Sequence, residues 1–426
     1  MIRSSRRRPL FSAVAALTTL AFVAGACGDD SGDDDAGGSP AATEAPAGGE
    51  SGSEATDAPA PEGGVITIGN VAPLTAFLAE YGAHQVSGVE LAVKQVNDSG
   101  GLNVGGAQYT VEITTYDDQC EPTEAVSAMT RVIEQGVVGV IGSVCSSNTL
   151  AMRDVADDEE IVLITPGSTA PNITEPGHPY MFRTLGHIGL MAEQVIPYGV
   201  ETLGIEKFAF LSVNNDFGRS AVDFYGAKMT ELGAELITPE FYEAGTVDFY
   251  TTIEKVMADN PDGLFIAGGA VEGAAIMRQF DELGYLDQLT VLQHGLNTQE
   301  FAELAGEELI EGCCFGAAGF VFDELADETK TFVQENAAAF GEPANEVVVY
   351  SYDAAMALMR AIEIAGTVDD HAAIRDALAG LTVEDYRPLN NVITAEGDRI
   401  FDDVGQLTPE YVITHWVAGE SVPVED

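Results

Sequence analysis

The chain has 426 residues and a formal net charge of −51, from 69 Asp and Glu against 18 Lys and Arg. Such an acid excess argues against a nucleic-acid partner, because phosphate binding needs a basic face. With only five lysines, the excess fits the hypothesis of a salt-rich habitat, which concerns solubility rather than function. Six scattered histidines and five cysteines, with no His-x-x-x-His or Cys-x-x-Cys spacing, argue against a zinc site. The expectation is no metal and no cofactor.

Residues 1–26 read as a signal peptide. Arg3, Arg6, Arg7 and Arg8 precede an apolar run from Leu10 to Ala24, and about 15 apolar residues are too few to span a bilayer comfortably. Two processing outcomes compete. Val23-Ala24-Gly25-Ala26-Cys27 resembles a lipobox whose cysteine becomes the lipidated N-terminus, whereas Ala24-x-Ala26 also suits an ordinary signal peptidase. The long polar tether favours lipidation at Cys27 and a membrane-anchored, extracytoplasmic protein. The Arg7-Arg8 pair matches a twin-Arg export signal poorly. Residues 27–63 form an acidic segment rich in Gly, Ser, Ala and Pro, with no aromatic residue, which cannot offset its ordering entropy.

From Gly64 onward, short β-branched runs alternate with amphipathic stretches. Val65–Ile68 reads as a strand, Tyr81–Asn97 as a helix with Val89, Ala92, Val93 and Val96 on one face, and Tyr109–Thr114 as a strand. A helix over Glu121–Glu134 and strands at Val137–Ile141 and Ile161–Ile164 close the first series. The second series has strands at Phe208–Leu211, Glu235–Ile237, Leu264–Ile266 and Leu289–Leu292, separated by helices at Arg219–Leu232, Phe249–Ala258 and Ala274–Leu283. Helices at Glu324–Phe340, Val347–Ala365 and Ala372–Leu378 follow. The rhythm predicts two doubly wound α/β lobes with parallel sheets, and ligands of such sheets sit beyond the carboxyl ends of the strands.

Three segments fall at such ends: Tyr116–Pro122, Ile141–Thr149 and Ile164–Pro171. Cys120 and Cys145 both lie just past strands of an exported chain, which predicts a disulfide, with two buried thiols as the weaker alternative. Ser146 and Ser147 stand at a strand-to-helix junction, where serine is first of all an N-cap. The same geometry, with free N–H groups, the helix dipole and a hydroxyl, also makes an anion site.

These motifs, Tyr116-Asp117-Asp118-x-Cys120-x-Pro122, Val140-Ile141-Gly142-x-x-Cys145-Ser146-Ser147 and Thr165-Pro166-x-x-Thr169-x-Pro171, with weaker support from Asp216-x-Gly218 and Arg278-Gln279, carry a specific resemblance. The chain resembles the leucine/isoleucine/valine-binding family of type I periplasmic binding proteins, the solute receptors of ATP-driven (ABC) importers, over nearly all of residues 64–426. The resemblance implies two lobes, 64–186 plus 319–407 and 187–318 plus 408–426, joined by crossovers near residues 187, 318 and 407 and closing at a hinge. It implies a small-molecule solute and ABC permease subunits as partners, and no enzyme activity. It also implies roles: Ser146 and Thr169 hold a ligand carboxylate, and Thr169 and the Gly167 carbonyl hold an ammonium. Tyr81 covers the ligand from the first lobe, and Phe217 stands at a second-lobe tyrosine position.

The departures concern the ligand. The position of the family's second-lobe carboxylate reads His294, a second acidic position reads Ile188, and an aromatic position reads Gly269, which would leave room for a bulkier body. An ammonium without a charged partner in a desolvated cleft is costly, which argues against a standard branched-chain amino acid and for another carboxylate. The bland alternative for His294 is a surface or cap histidine. Asp216-Phe217-Gly218 spells a kinase tripeptide without any accompanying kinase motif, and no Gly-x-Ser-x-Gly elbow supports Ser146 as a nucleophile. Adjacent Cys313 and Cys314 read as buried free thiols in preference to a vicinal disulfide. A sensory protein of the same fold, reporting to a separate signalling partner, is the alternative to an importer receptor.

Overall fold

The computed structural model describes residues 63–319, 327–341, 344–389 and 392–424. The signal peptide, Cys27, the linker as far as residue 62, and the first three residues of the helix expected from Glu324 lie outside them.

The chain opens with β1 (Gly64–Ala72), α1 (Ala79–Asp98), β2 (Leu102–Val104), β3 (Ala107–Asp117), α2 (Pro122–Glu134), β4 (Val140–Gly142), α3 (Ser146–Asp158), β5 (Leu163–Thr165) and β6 (Met181–Arg183). These strands form one sheet in the order β2-β3-β1-β4-β5-β6, parallel except for the β2–β3 pair. Then come α4 (Ile188–Pro197), β7 (Lys207–Val213), α5 (Asp216–Glu231), β8 (Glu235–Leu236), β9 (Glu240–Tyr242), α6 (Tyr250–Met257), β10 (Gly263–Ala267), α7 (Ala270–Glu282) and β11 (Thr290–His294). Their sheet runs β11-β10-β7-β8, with β9 also paired to β7, and is parallel throughout. The chain continues through α8 (Gln299–Ala305), α9 (Glu307–Ile310), β12 (Gly316–Ala318), α10 (Asp327–Phe340), α11 (Glu346–Ala365) and α12 (His371–Ala379). It ends with β13 (Val392–Ile393), β14 (Thr408–Pro409), β15 (Val412–Val417) and β16 (Glu420–Pro423).

The central strands of each large sheet are buried on both faces, so they read as continuous apolar runs. In β7, Phe208 and Phe210 pack with α4 and α5, whereas Ala209 and Leu211 pack with α6 and α7. In the first sheet, Ile66 and Ile68 meet α1 and α11, and Val140 and Leu163 meet α2 and α3. The chain passes from the first core to the second between Phe182 and Ile188 and again between Leu407 and Tyr411, and between them Ala317 packs on the second core and Phe332 on the first. At one of these passages two backbones pair: Arg183 N–H donates to Gly405 O at 2.9 Å and Leu407 N–H to Arg183 O at 2.9 Å.

The vicinal cysteines differ from expectation. Cys313 and Cys314 are bonded to each other, with Cα atoms 3.8 Å apart. The turn after α9 puts Cys314 at φ 65°. Among the described residues, no helix is long and apolar enough to cross a membrane, and no group of three or more His, Cys, Asp or Glu could hold a metal ion.

Candidate functional site

The loops after β3, β4 and β5 converge because their backbones and short side chains interlock. Gly142 at the end of β4 has φ 138°, and a Cβ there would lie 1.9 Å from the Val71 carbonyl, so only glycine lets the strand turn against β1. The Ser143 carbonyl then accepts from Thr165 Oγ1 at 2.6 Å, Ser168 Oγ at 2.8 Å and Thr149 Oγ1 at 3.1 Å. Cys120 is bonded to Cys145, Cα to Cα 5.7 Å, which ties the loop after β3 to the start of α3. Gly82 performs the equivalent service for α1: a Cβ there would meet Pro73 O at 1.7 Å, so the first turn, which carries Tyr81, lies hard against the loop after β1.

The serine pair does not cap its helix. The N-cap is Cys145, whose own N–H donates to Ser143 Oγ at 3.1 Å, so α3 begins one residue earlier than an N-cap at Ser146 requires. Ser146 Oγ instead accepts from Ala170 N–H at 3.3 Å, bridging the second and third loops. Ser147 Oγ turns to the other sheet's α5, donating to Asp216 Oδ2 at 2.7 Å. Asn215 caps α5, accepting from Gly218 N–H at 2.9 Å, which gives the Asp-Phe-Gly triplet its local reason.

Ser146, Gly167, Thr169, Tyr81, Phe217 and His294 all line one cavity between the carboxyl ends of the two sheets. It holds ≈ 80 Å³ for the centres of water-sized spheres. On that measure one water needs roughly 10–15 Å³, so several waters or one small solute fit. Thr169 is 5% exposed, and its Oγ1 is buried without a hydrogen-bond partner. Behind it lies the buried Arg183, whose guanidinium donates to the carbonyls of Ser168 at 3.2 Å and Ala170 at 2.8 Å, to Thr174 Oγ1 at 2.9 Å and to Gln406 Oε1 at 2.6 Å. Burial lowers its pKa only to about 10, so a positive charge backs the Thr169 loop at neutral pH.

Across the cavity His294 ends β11. It is neither a surface nor a cap residue: Tyr225 Oη lies 3.0 Å from its Nδ1, and Phe217 packs edge-on at 4.9 Å between centroids. Burial lowers its pKa to about 4, so the ring is neutral at pH 7 and brings no charge. Tyr81 Oη donates across to Gly295 O at 3.4 Å. Ile188 is buried among Met191, Phe208 and Phe210 in the second sheet's core. The room expected at Gly269 is taken, because a Cβ there would lie 2.7 Å from the ring of Phe77, which itself lines the cavity.

Sequence reasoning missed Phe77, Tyr225, Arg183 and Glu346. Phe77 lies in an irregular loop with positive φ at Ala76 and Leu78, where no periodicity points. Arg183 sits in a run of apolar residues, and that placement was the available signal. Glu346 opens α11 and lines the cavity. Burial pushes its carboxyl up to about 7, against one backbone hydrogen bond from Gly319.

The profile of the periplasmic binding protein family matches residues 65–420. A Leu/Ile/Val-binding protein homolog of Brucella melitensis biotype 1 is 28% identical over 365 residues, 84% of this chain and 94% of its own. The crystal structure of a leucine binding protein from Thermotoga maritima gives a TM-score of 0.75 at 24% identity, covering 84% of this chain and 98% of its own. A solute binding protein of an ABC transporter from R. palustris, crystallised with benzoate, gives 0.72 at 20% identity, covering 84% and 95%. At these identities the two crystal structures speak for the fold.

Proposed function

This chain belongs to the periplasmic binding protein family, and we propose that it is the receptor of an ABC importer, capturing a small carboxylate-bearing solute between two closing lobes. Membership makes it an exported, extracytoplasmic solute-binding protein and not an enzyme. We take the lobes as residues 64–186 plus 319–407 and 187–318 plus 408–426, the partner as a pair of permease subunits, and Cys27 as the site of a lipid anchor.

One observation carries the reading of the site: the partnerless, buried Thr169 hydroxyl beside Ser146. A buried hydroxyl without a partner is costly, and an entering acceptor removes that cost. The N-terminus of α3 and the Arg183 charge favour an anionic acceptor there. Opposite, a neutral His294 among Phe217 and Tyr225 suits an apolar or aromatic body better than an α-ammonium. The relatives are consistent with a carboxylate of either kind, since one is named for branched-chain amino acids and a fold neighbour holds benzoate.

A thermal-shift panel of amino acids, keto acids and aromatic carboxylates identifies a ligand, because binding to the native state raises the melting temperature. Calorimetry with that ligand then tests the site. Ser146→Ala combined with Thr169→Ala is expected to lower affinity by roughly 10²–10⁴-fold, since hydrogen bonds to charged groups contribute about 1.5–3 kcal/mol each. The fold should survive, with a lower ligand-free melting temperature because Ser146→Ala strands the buried Ala170 N–H. Undiminished affinity in the double variant would overturn the placement of the carboxylate.

A further inference from the structure

We propose that Glu346 selects the solute, by accepting a cationic or strongly donating group at the end remote from the carboxylate that Ser146 and Thr169 hold. This deepens the proposed function and rests on it.

The placement follows from packing. Val347, the residue after Glu346, packs on Val144 and Cys145, and Leu78 and Tyr81 close over the same cluster. Cys145 in turn precedes Ser146. The hydroxyl end and the Glu346 carboxyl are therefore linked through a short apolar patch, in one cavity that both residues line. Among the described residues lining this cavity there is no lysine or arginine, and His294 is neutral. Among the described lining residues Glu346 brings the only carboxyl, half-buried at the start of a 20-residue helix. A solute with a carboxylate, an apolar middle and a protonated amine at its far end matches hydroxyls, apolar patch and carboxyl in that order.

The electrostatics fit the same guest. With its pKa near 7, Glu346 is partly protonated at neutral pH. An arriving ammonium favours the carboxylate, so the proton leaves to solvent as the ion pair forms. The groups whose charge couples to Glu346 are the phenols of Tyr81 from α1, Tyr350 from its own helix and Tyr411 before β15. None of the three ionises near neutral pH. Asn345 beside it holds His84 of α1, 2.6 Å from the ring nitrogen. Glu300, Glu303 and Glu420 share the adjoining opening that Glu346 also faces and add negative potential there, while Glu80, pushed up to about 7 by burial and by Glu300, adds only part of a charge.

Two matched pairs test this by calorimetry: 5-aminopentanoate against pentanoate, and 4-(aminomethyl)benzoate against benzoate. In the wild type the aminated member of at least one pair is expected to bind about tenfold or more tightly. In Glu346→Gln that advantage should shrink to roughly threefold or less. Titration in two buffers of different ionisation enthalpy should show proton release on binding the amine at pH 7, absent in Glu346→Gln and retained in Glu80→Gln. If carboxylates bind but the amine confers no advantage, or the advantage survives Glu346→Gln, the assignment of Glu346 is overturned while the carboxylate site stands. If no carboxylate binds the wild type, the carboxylate site itself is overturned and this assignment with it.

Discussion

Ser147 and Asp216 exchange two hydrogen bonds across the gap between the two parallel sheets. Ser147 Oγ donates to Asp216 Oδ2 at 2.7 Å and accepts from Asp216 N–H at 3.2 Å. The first turns of α3 and α5 are thereby joined directly, side chain to helix end, at the edge of the cavity. Under the proposed closing of two lobes, this contact would form only in the closed arrangement and would bias the ligand-free protein toward it.

Ser147→Ala is expected to open the ligand-free protein, seen as a larger radius of gyration by small-angle scattering. It should weaken ligand affinity by up to about thirtyfold, the scale of two hydrogen bonds of about 1 kcal/mol each. An unchanged radius with unchanged affinity would mean that the contact carries no closing energy.

His294 and Glu346 pull stability in opposite directions with pH. Burial holds His294 at about 4, below its ordinary 6.5, so its contribution is complete above pH 6.5 and is lost as the pH falls toward 4. Burial holds Glu346 at about 7, above its ordinary 4.5, so its contribution is complete below pH 4.5 and is lost as the pH rises through 7. His294→Gln should therefore raise melting temperature relative to wild type more at pH 5 than at pH 8. Glu346→Gln should do so more at pH 8 than at pH 5. Each difference should be worth roughly 1–3 kcal/mol, given about 1.4 kcal/mol per pKa unit before solvent screening. Scanning calorimetry at the two pH values checks both.

Arg183 acts as a positioning residue for the Thr169 loop. Arg183→Met removes the donors from the Ser168 and Ala170 carbonyls, and stranding several buried acceptors costs about 1–3 kcal/mol each. Thermal unfolding should report the loss. Ligand affinity in the surviving folded fraction should also fall, because the loop and the charge behind it are both altered.

The bond between Cys120 and Cys145 closes a stretch of 25 residues. Replacing both cysteines with serine should cost roughly 3 kcal/mol of stability in the loop-entropy model. It should also weaken ligand binding, because the bond anchors the residue before Ser146. Chemical denaturation and calorimetry on the same variant separate the two effects.

Much of the fold was legible because the central strands of both sheets are covered on both faces, which writes such a strand as a run like Phe208–Leu211 and each helix as a stripe such as Val89, Ala92 and Val93. Short elements escaped. Strands β2 and β6 have three residues each, too few for a period to register, whereas β4 and β5, equally short, stand out because apolar residues precede them in Val137–Ile141 and Ile161–Ile164. The six site residues named from the sequence do share one cavity, because strand-end motifs fix which loops converge. The side-chain bonds were not legible. Ser146 and Ser147 look alike in sequence, yet one bridges to Ala170 and the other to Asp216, and only the long-range approach of those partners decides which. Gly269 misled for a related reason: a missing side chain signals space only where no neighbour, here Phe77, moves in.

The backbone pairing of Arg183 with Gly405 and Leu407 has a mechanical consequence. Two passages run side by side there, held by amide bonds at 2.9 Å on either side of Arg183. Under the proposed closing of the lobes, neither strand would swing without carrying the other.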